Sequence, residues 1–364
     1  MASLSVQIQD EIRRDGPISF ARFMELALYA PGLGYYEKQQ AIGRRGDFFT
    51  SVSVGPLFGE LLGFQFAQWL EEGAPSGPCQ IIETGAHDGT LAGDILGWMQ
   101  QWRPGLFARL EYCVVEPSPP RRQWQELTLR QWLPKIKWLA GVAETAPTPA
   151  RRILFCNELL DAMPTHRLAW NAAVKKWEEC RVACANGRFV WQSPPLPEWT
   201  GDAPVMTPEL AAVLPPGFVV EHCPAAAAWW KKAAASLSSG GGKLLTLDYG
   251  LTGGERFMPE RTRGTLRTFS RHHAGSDLLD DPGGCDITAH VDFSALEAAG
   301  RAAGLTTETM VSQEQFLTRI LAQTETGGFA AWTGARTRQF QTLTHPSHLG
   351  RAFRVLIQSK KAEG

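Results

Sequence analysis

Ile81-Ile82-Glu83-Thr84-Gly85-Ala86-His87-Asp88-Gly89-Thr90-Leu91 decides the reading of this chain. Two β-branched residues run into an acid, and two glycines stand four apart. An amphipathic run follows at once, with Leu91, Ile95, Trp98, Met99 and Trp102 on one helical face. The pattern predicts strand, tight turn and helix. At the carboxyl end of a parallel strand, such a turn lets backbone approach a ligand, and the helix N-terminus presents unpaired N–H groups. A nucleotide-like cofactor is the expected occupant. His87 stands where the dinucleotide fingerprint Gly-x-Gly-x-x-Gly has its second glycine, so a pyrophosphate is disfavoured. S-adenosylmethionine suits better, since it has no phosphate but a cationic sulfonium and an amino-acid tail. A glycine turn kept for packing alone is the plainer alternative.

Outward from this stretch, Leu110 to Val115 reads as a second strand ending in Glu116, the place where Rossmann-like folds accept ribose hydroxyls. A strand-end carboxylate held by a helix N-terminus is the competing reading. A helix over Arg122 to Leu133, a third strand over Ile136 to Val142 and a fourth over Arg152 to Cys156 follow. The fourth runs into Asn157-Glu158-Leu159-Leu160-Asp161-Ala162-Met163-Pro164. Upstream, Leu4 to Ala30 reads as two helices broken at Gly16-Pro17, with Ser19 as N-cap of the second. Pro31 to Tyr36 and Gly43 to Ser51 mix glycine, aromatics, charge and hydroxyls without periodicity, as binding loops do. Pro56 to Leu70 returns to helix. Downstream, Leu168 to Trp170, Trp177 to Val182 and Phe189 to Trp191, with an Asn186-Gly187 turn, predict an antiparallel insertion. A proline-rich connector, a helix over Ala225 to Ser236 and an apolar strand over Lys243 to Asp248 come next. Leu251 to Asp286 is long and irregular, Asp292 to Ala303 and Gln313 to Gln323 are helical, and Phe353 to Gln358 is a last strand.

Composition bounds the function. A chain of 364 residues with 44% hydrophobic content can bury a large core, and its formal net charge of −1 offers no global field for nucleic acid. Seven scattered cysteines without a Cys-x-x-Cys pair point to reduced thiols in a cytoplasmic protein and to no metal site. No apolar run reaches the roughly 18 residues of a membrane span, and no signal-peptide or transit-peptide pattern is expected at the N-terminus. The Cys180-Arg-Val-Ala-Cys184 spacing is expected to be core within a hairpin. His272 and His273 are expected to be solvated loop positions.

Several blocks together resemble the MidA-like S-adenosylmethionine-dependent methyltransferases, whose mitochondrial member is an arginine methyltransferase assisting respiratory complex I assembly. They are Gly43-Arg44-Arg45-Gly46-Asp47-Phe48-Phe49-Thr50, Glu83 to Leu91, Val115-Glu116-Pro117-Ser118, Asn157-Glu158 through Pro164, Trp177-Glu178-Glu179, Asp248-Tyr249-Gly250 and Asp286 to Phe293. Two departures stand out. His87 replaces a family glycine, and Leu349-Gly350-Arg351-Ala352-Phe353 replaces Met-Gly-x-x-Phe.

The resemblance implies an α/β class I methyltransferase (Rossmann-like) sheet with an N-terminal helical cap and an inserted antiparallel β-rich unit. The expected organisation is a cap and cofactor-covering loop at 1–75, core at 76–167, insertion at 168–239, and core again at 240–364 with a lid-like loop at 251–286. Fold and resemblance put Glu83, Gly85, Gly89, Glu116 and Asn157 on the cofactor, with Asp47 and Thr50 in a covering loop. Glu158 and Asp161 are expected to face the acceptor, an arginine on a protein. Asp161 as a helix N-cap is an even alternative. His290 is a catalytic candidate, against the plainer reading that it packs under the long loop while Thr288 and Asp292 cap the next helix. No metal is expected. An NAD-dependent oxidoreductase and a non-catalytic assembly factor on the same fold are the rival readings.

Overall fold

The structure is a computed structural model, which describes residues 3–38, 50–73, 77–145, 150–237, 241–270, 273–274, 277–325 and 327–361. The chain divides into two compact units, one of Met1–Phe48, Asp161–Ala227 and Gly250–Ser294, the other of Phe49–Leu160, Ala228–Tyr249 and Ala295–Gly364.

The second unit is built on a sheet whose strands in chain order are β1 (Cys79–Thr84), β2 (Leu110–Val115), β3 (Ile136–Leu139), β4 (Arg151–Asn157), β5 (Gly242–Leu251), β6 (Thr306–Ser312) and β7 (Phe353–Lys360). Their spatial order is β6-β7-β5-β4-β1-β2-β3, and β7 alone runs antiparallel to its neighbours. The β-branched and aromatic runs that predicted strands are buried on both faces, as parallel strands between helices require. Chain order departs from β1 in two directions, to β2 on one side and β4 on the other. Such a switch point is where ligands bind in this architecture. Register aligns the ends: Thr84 lies opposite both Val115 and Cys156. Gly85, Glu116 and Asn157, each one residue farther on, therefore leave the sheet at one edge. Helices Leu57–Glu71 and Thr90–Trp102 cover the sheet through Leu61, Phe64, Leu91, Ile95 and Trp98.

Two expected elements shift. The helix after β2 is Pro119–Thr128 followed by a 3-10 turn at Arg130–Lys135, because two prolines fit the first helical turn and Pro134 disrupts the last. The strand expected to reach Val142 ends at Leu139, before Gly141.

In the first unit, helices Leu4–Asp15 and Phe20–Tyr29 are capped by Ser3 and Ser19, whose hydroxyls accept from Val6 and Arg22 N–H. Among the described residues, three small antiparallel sheets accompany them. The single strand expected over Trp177 to Val182 is two. Lys176–Glu179 pairs with His166–Asn171, whereas Arg181–Ala185 pairs with Ile18–Ser19 and with Arg188–Trp191 across the Asn186-Gly187 turn. The break follows buried Glu179, which takes His166 Nδ1 at 2.7 Å and Arg181 Nε at 2.8 Å. Cys184 is consequently exposed rather than core. The stretch expected to be wholly irregular holds strand Arg267–Ser270, paired with Asp286–Thr288. Among the described residues no helix is long and apolar enough to cross a membrane.

Candidate active site

Three backbone positions make the turn after β1. Gly85 and Gly89 hold φ of +77° and +88°, and His87 holds +48° between them. Only glycine takes such angles without steric cost, so the first two follow from the sequence and the third marks strain. A Cβ on Gly85 would lie 2.9 Å from Leu159 Cδ1, and one on Gly89 would lie 3.0 Å from Leu129 Cδ1. Both glycines are thus packed against leucine side chains, which leaves no room for a side chain of their own. Asp88 Oδ1 accepts from Thr90 N–H at 3.0 Å and fixes the start of the helix.

Glu83 sits beneath this turn, 2% exposed, with Tyr112 OH donating to its Oε2 at 2.7 Å. Burial pushes its carboxyl up to about 7 against the opposing Tyr112 hydrogen bond, and Asp88 adds to the rise. Glu116 is 1% exposed and closely held. Its Oε1 accepts from Ser118 N–H at 2.9 Å and faces Arg121 Nη2 at 3.1 Å, while its Oε2 accepts from Gln125 Nε2 at 3.2 Å. The strand-end carboxylate held at a helix N-terminus is what the structure shows at Glu116. It stands where a ribose acceptor stands, and the N-cap residue of the following helix holds it.

At the end of β4, Glu158 has φ of +50°, and its Oε1 accepts from Asn157 Nδ2 at 3.1 Å and Ser51 N–H at 3.3 Å. Ser51 hydroxyl in turn meets Gln313 Oε1 at 3.1 Å. Asp248, fully buried within β5, takes the N–H groups of Leu159, Leu160 and Tyr249 and pins the segment after Glu158. Among the described residues, Thr84 Oγ1 and Asn157 Oδ1 are buried without a hydrogen-bond partner. Two orphaned polar atoms at adjacent strand ends beside a glycine cradle suit a polar ligand. With buried Glu83 they match the cationic methionine portion of S-adenosylmethionine, and the donor set fits that cofactor.

Thr50 is buried and closes a small hydroxyl turn with Ser53, while Asp47 lies outside the described residues. Asp161 and His290 belong to the first unit, where Ala289 N–H bonds Asp161 O at 2.9 Å. No helix starts after Asp161, so the N-cap alternative fails. Close by in that unit, Tyr36 OH donates to Asp286 Oδ1 at 2.9 Å and Tyr29 OH to Ala162 O at 2.9 Å, with the two rings stacked. His290 N–H bonds Thr265 Oγ1, and its Nδ1 is buried without a partner among the described residues. Burial, then Arg267 and Arg261, lowers its ring to about 4, so the imidazole is neutral. His272 lies outside the described residues. Tyr112, Asp248, Ser51, Gln125 and Gln313 were not marked as site residues by sequence reasoning. A buried polar residue gives no local signal, although Asp248 lies in one of the blocks quoted above.

A family model for S-adenosyl-L-methionine-dependent methyltransferases matches residues 61–311. The chain belongs to the MidA-like S-adenosylmethionine-dependent methyltransferases. This methyltransferase is 30% identical over 379 residues to the mitochondrial protein arginine methyltransferase NDUFAF7 of Rattus norvegicus, covering 94% of this chain and 81% of that protein. It is 27% identical to the Drosophila melanogaster homolog, with 97% and 84% covered. A crystal structure of a superfamily member from Burkholderia thailandensis, bound to S-adenosyl-homocysteine, shares 32% identity and a TM-score of 0.78 over 99% of this chain and 92% of that one. The cofactor of the methyltransferase is S-adenosylmethionine, and the NAD-dependent alternative falls.

Proposed function

We propose that this methyltransferase modifies arginine side chains of a protein acceptor, with Glu158 as the carboxylate that orients the guanidinium. The observation that carries the reading is Glu158 itself. It is held in a left-handed conformation at the end of β4 by Asn157 and Ser51, beside the glycine cradle. Strain at a strand end is kept where surrounding structure imposes it, and such sites are commonly functional. The relatives named as protein arginine methyltransferases NDUFAF7 support the acceptor class.

When bound, the cofactor supplies a methyl carbon made electrophilic by the sulfonium. The chain supplies alignment, charge and a proton acceptor. Glu158 takes two guanidinium N–H groups through charge-assisted hydrogen bonds and turns one nitrogen toward the methyl carbon. As the nitrogen–carbon bond forms and the carbon–sulfur bond breaks, the electron pair of the latter stays on sulfur. The surplus N–H proton passes to the carboxylate and then to solvent. Glu116 holds the ribose hydroxyls, Glu83 lies beneath the turn, and Thr50 covers the site. Seven free cysteines suit a reducing compartment, and cytoplasmic location is part of the proposal.

The test is transfer of labelled methyl from S-adenosylmethionine into the protein fraction of a cell lysate. Glu158→Gln is expected to lower incorporation by at least about 10²-fold, typical for loss of a proton acceptor, with cofactor affinity by calorimetry nearly unchanged. Equal incorporation by the variant would remove Glu158 from the chemistry.

A further inference from the structure

Helix Pro119–Thr128 buries one side chain, and that side chain is a glutamine. Gln125 is fully buried, and its amide makes three hydrogen bonds to three different segments. Nε2 donates to His87 O in the glycine turn at 3.0 Å and to Glu116 Oε2 at the end of β2 at 3.2 Å. Oε1 accepts from Trp138 Nε1 on β3 at 2.9 Å. The indole has only a donor to offer, so the amide oxygen must face it, and both amide N–H groups are thereby aimed at the cofactor edge of the sheet. The same helix backs Gly89, where an added Cβ would lie 3.5 Å from Gln125 Cα.

We infer that Gln125 is a positioning residue for the cofactor, and that it sets the enzyme's preference for an intact ribose diol. The inference rests on the reading of Glu116 as ribose acceptor. A glutamate at a strand end can rotate about three side-chain bonds, and a ligand that stops this rotation loses affinity in doing so. Gln125 from one side and Ser118 N–H from the other fix both carboxylate oxygens before the ligand arrives. Gln125 also ties that carboxylate to the His87 carbonyl, so ribose acceptor and glycine turn keep one spacing.

The experiment compares binding of S-adenosylhomocysteine and its 2′-deoxy counterpart by calorimetry. It uses the wild-type chain, Glu116→Ala, Gln125→Met and Trp138→Phe, with thermal unfolding to confirm folding. The wild type is expected to prefer the intact ribose by about tenfold or more, as for a hydrogen bond to a charged group. Gln125→Met fills the same space but cannot donate. It should weaken the ribose ligand by about tenfold while changing the deoxy ligand less than about threefold, so that the preference collapses. Trp138→Phe removes only the bond that orients the amide and should erode the preference partway, which keeps the test open if the methionine variant misfolds. A preference left intact in Gln125→Met and Trp138→Phe, including one in which both ligands weaken by the same factor, overturns the positioning role. A wild type without preference, or one whose preference survives Glu116→Ala, overturns the ribose reading of Glu116 and this inference with it.

Discussion

Replacing Glu83 by glutamine removes a buried charge while leaving an oxygen to accept from Tyr112 OH. Burial raises the Glu83 carboxyl from 4.5 to about 7. At about 1.4 kcal/mol per pH unit between these values, the ionised form costs the fold on the order of 3 kcal/mol. The sign follows from the raised native value. This carboxyl's share of stability is full below about pH 4.5, declines as pH rises, and is lost above about pH 7. The amide of Glu83→Gln carries no charge at any of these pH values, so the variant escapes that loss. It should gain little over the wild type at pH 5 and roughly 2 to 3 kcal/mol more at pH 8. Urea unfolding of both proteins at the two pH values measures this difference of differences. Asp94, raised to about 7 by burial beside Glu60 and Asp88, titrates alike in both proteins and cancels. Any constant effect of the new amide also cancels. A difference between the proteins that does not change with pH would refute the argument that Glu83 is held against its own ionisation.

Gly85→Val places a β-branched residue at φ +77° against Leu159 and should cost roughly 1 to 2 kcal/mol of stability. It should also abolish cofactor binding, and unchanged affinity by calorimetry would take this turn out of the site. His87→Gly relieves a left-handed residue but adds glycine's unfolded-state entropy, so urea unfolding should shift by less than about 1 kcal/mol. A tenfold loss of cofactor affinity there would show that the imidazole itself contacts the ligand. Asp248→Ala leaves three buried backbone N–H groups without their acceptor and should cost about 3 to 5 kcal/mol, read by the same unfolding curves. A loss below about 1 kcal/mol would mean that the segment after Glu158 is held by something else.

Elements with one dominant local cause were readable in the chain. β2 ends at Val115 as its apolar run does, and Ser19 caps its helix because a hydroxyl at that spacing reaches the third N–H. Gly85 and Gly89 take the positive φ of the tight turn that their spacing announced. What the sequence hid lay in partners remote along the chain. β6, Thr-Thr-Glu-Thr-Met-Val-Ser, has few apolar residues, and its place comes from pairing with β7. Helix Gly334–Thr344 buries only Leu343 and carries no apolar stripe to find. The change of sheet at Cys180 depends on buried Glu179 meeting His166 and Arg181, which no periodicity encodes. At the site, the acids stood out by position, whereas the residues that hold them, Gln125 for Glu116 and Asp248 for the backbone after Glu158, emerged only from the fold.

The central claim, an arginine acceptor on a protein, meets its most direct test in the chemical identity of the product. The purified chain is incubated with S-adenosylmethionine carrying an isotopically labelled methyl group and a cell lysate, and the labelled protein is hydrolysed and resolved by mass spectrometry. The account predicts label in methylated arginine, dependent on Glu158. Label confined to lysine, to carboxylates or to small molecules would contradict it.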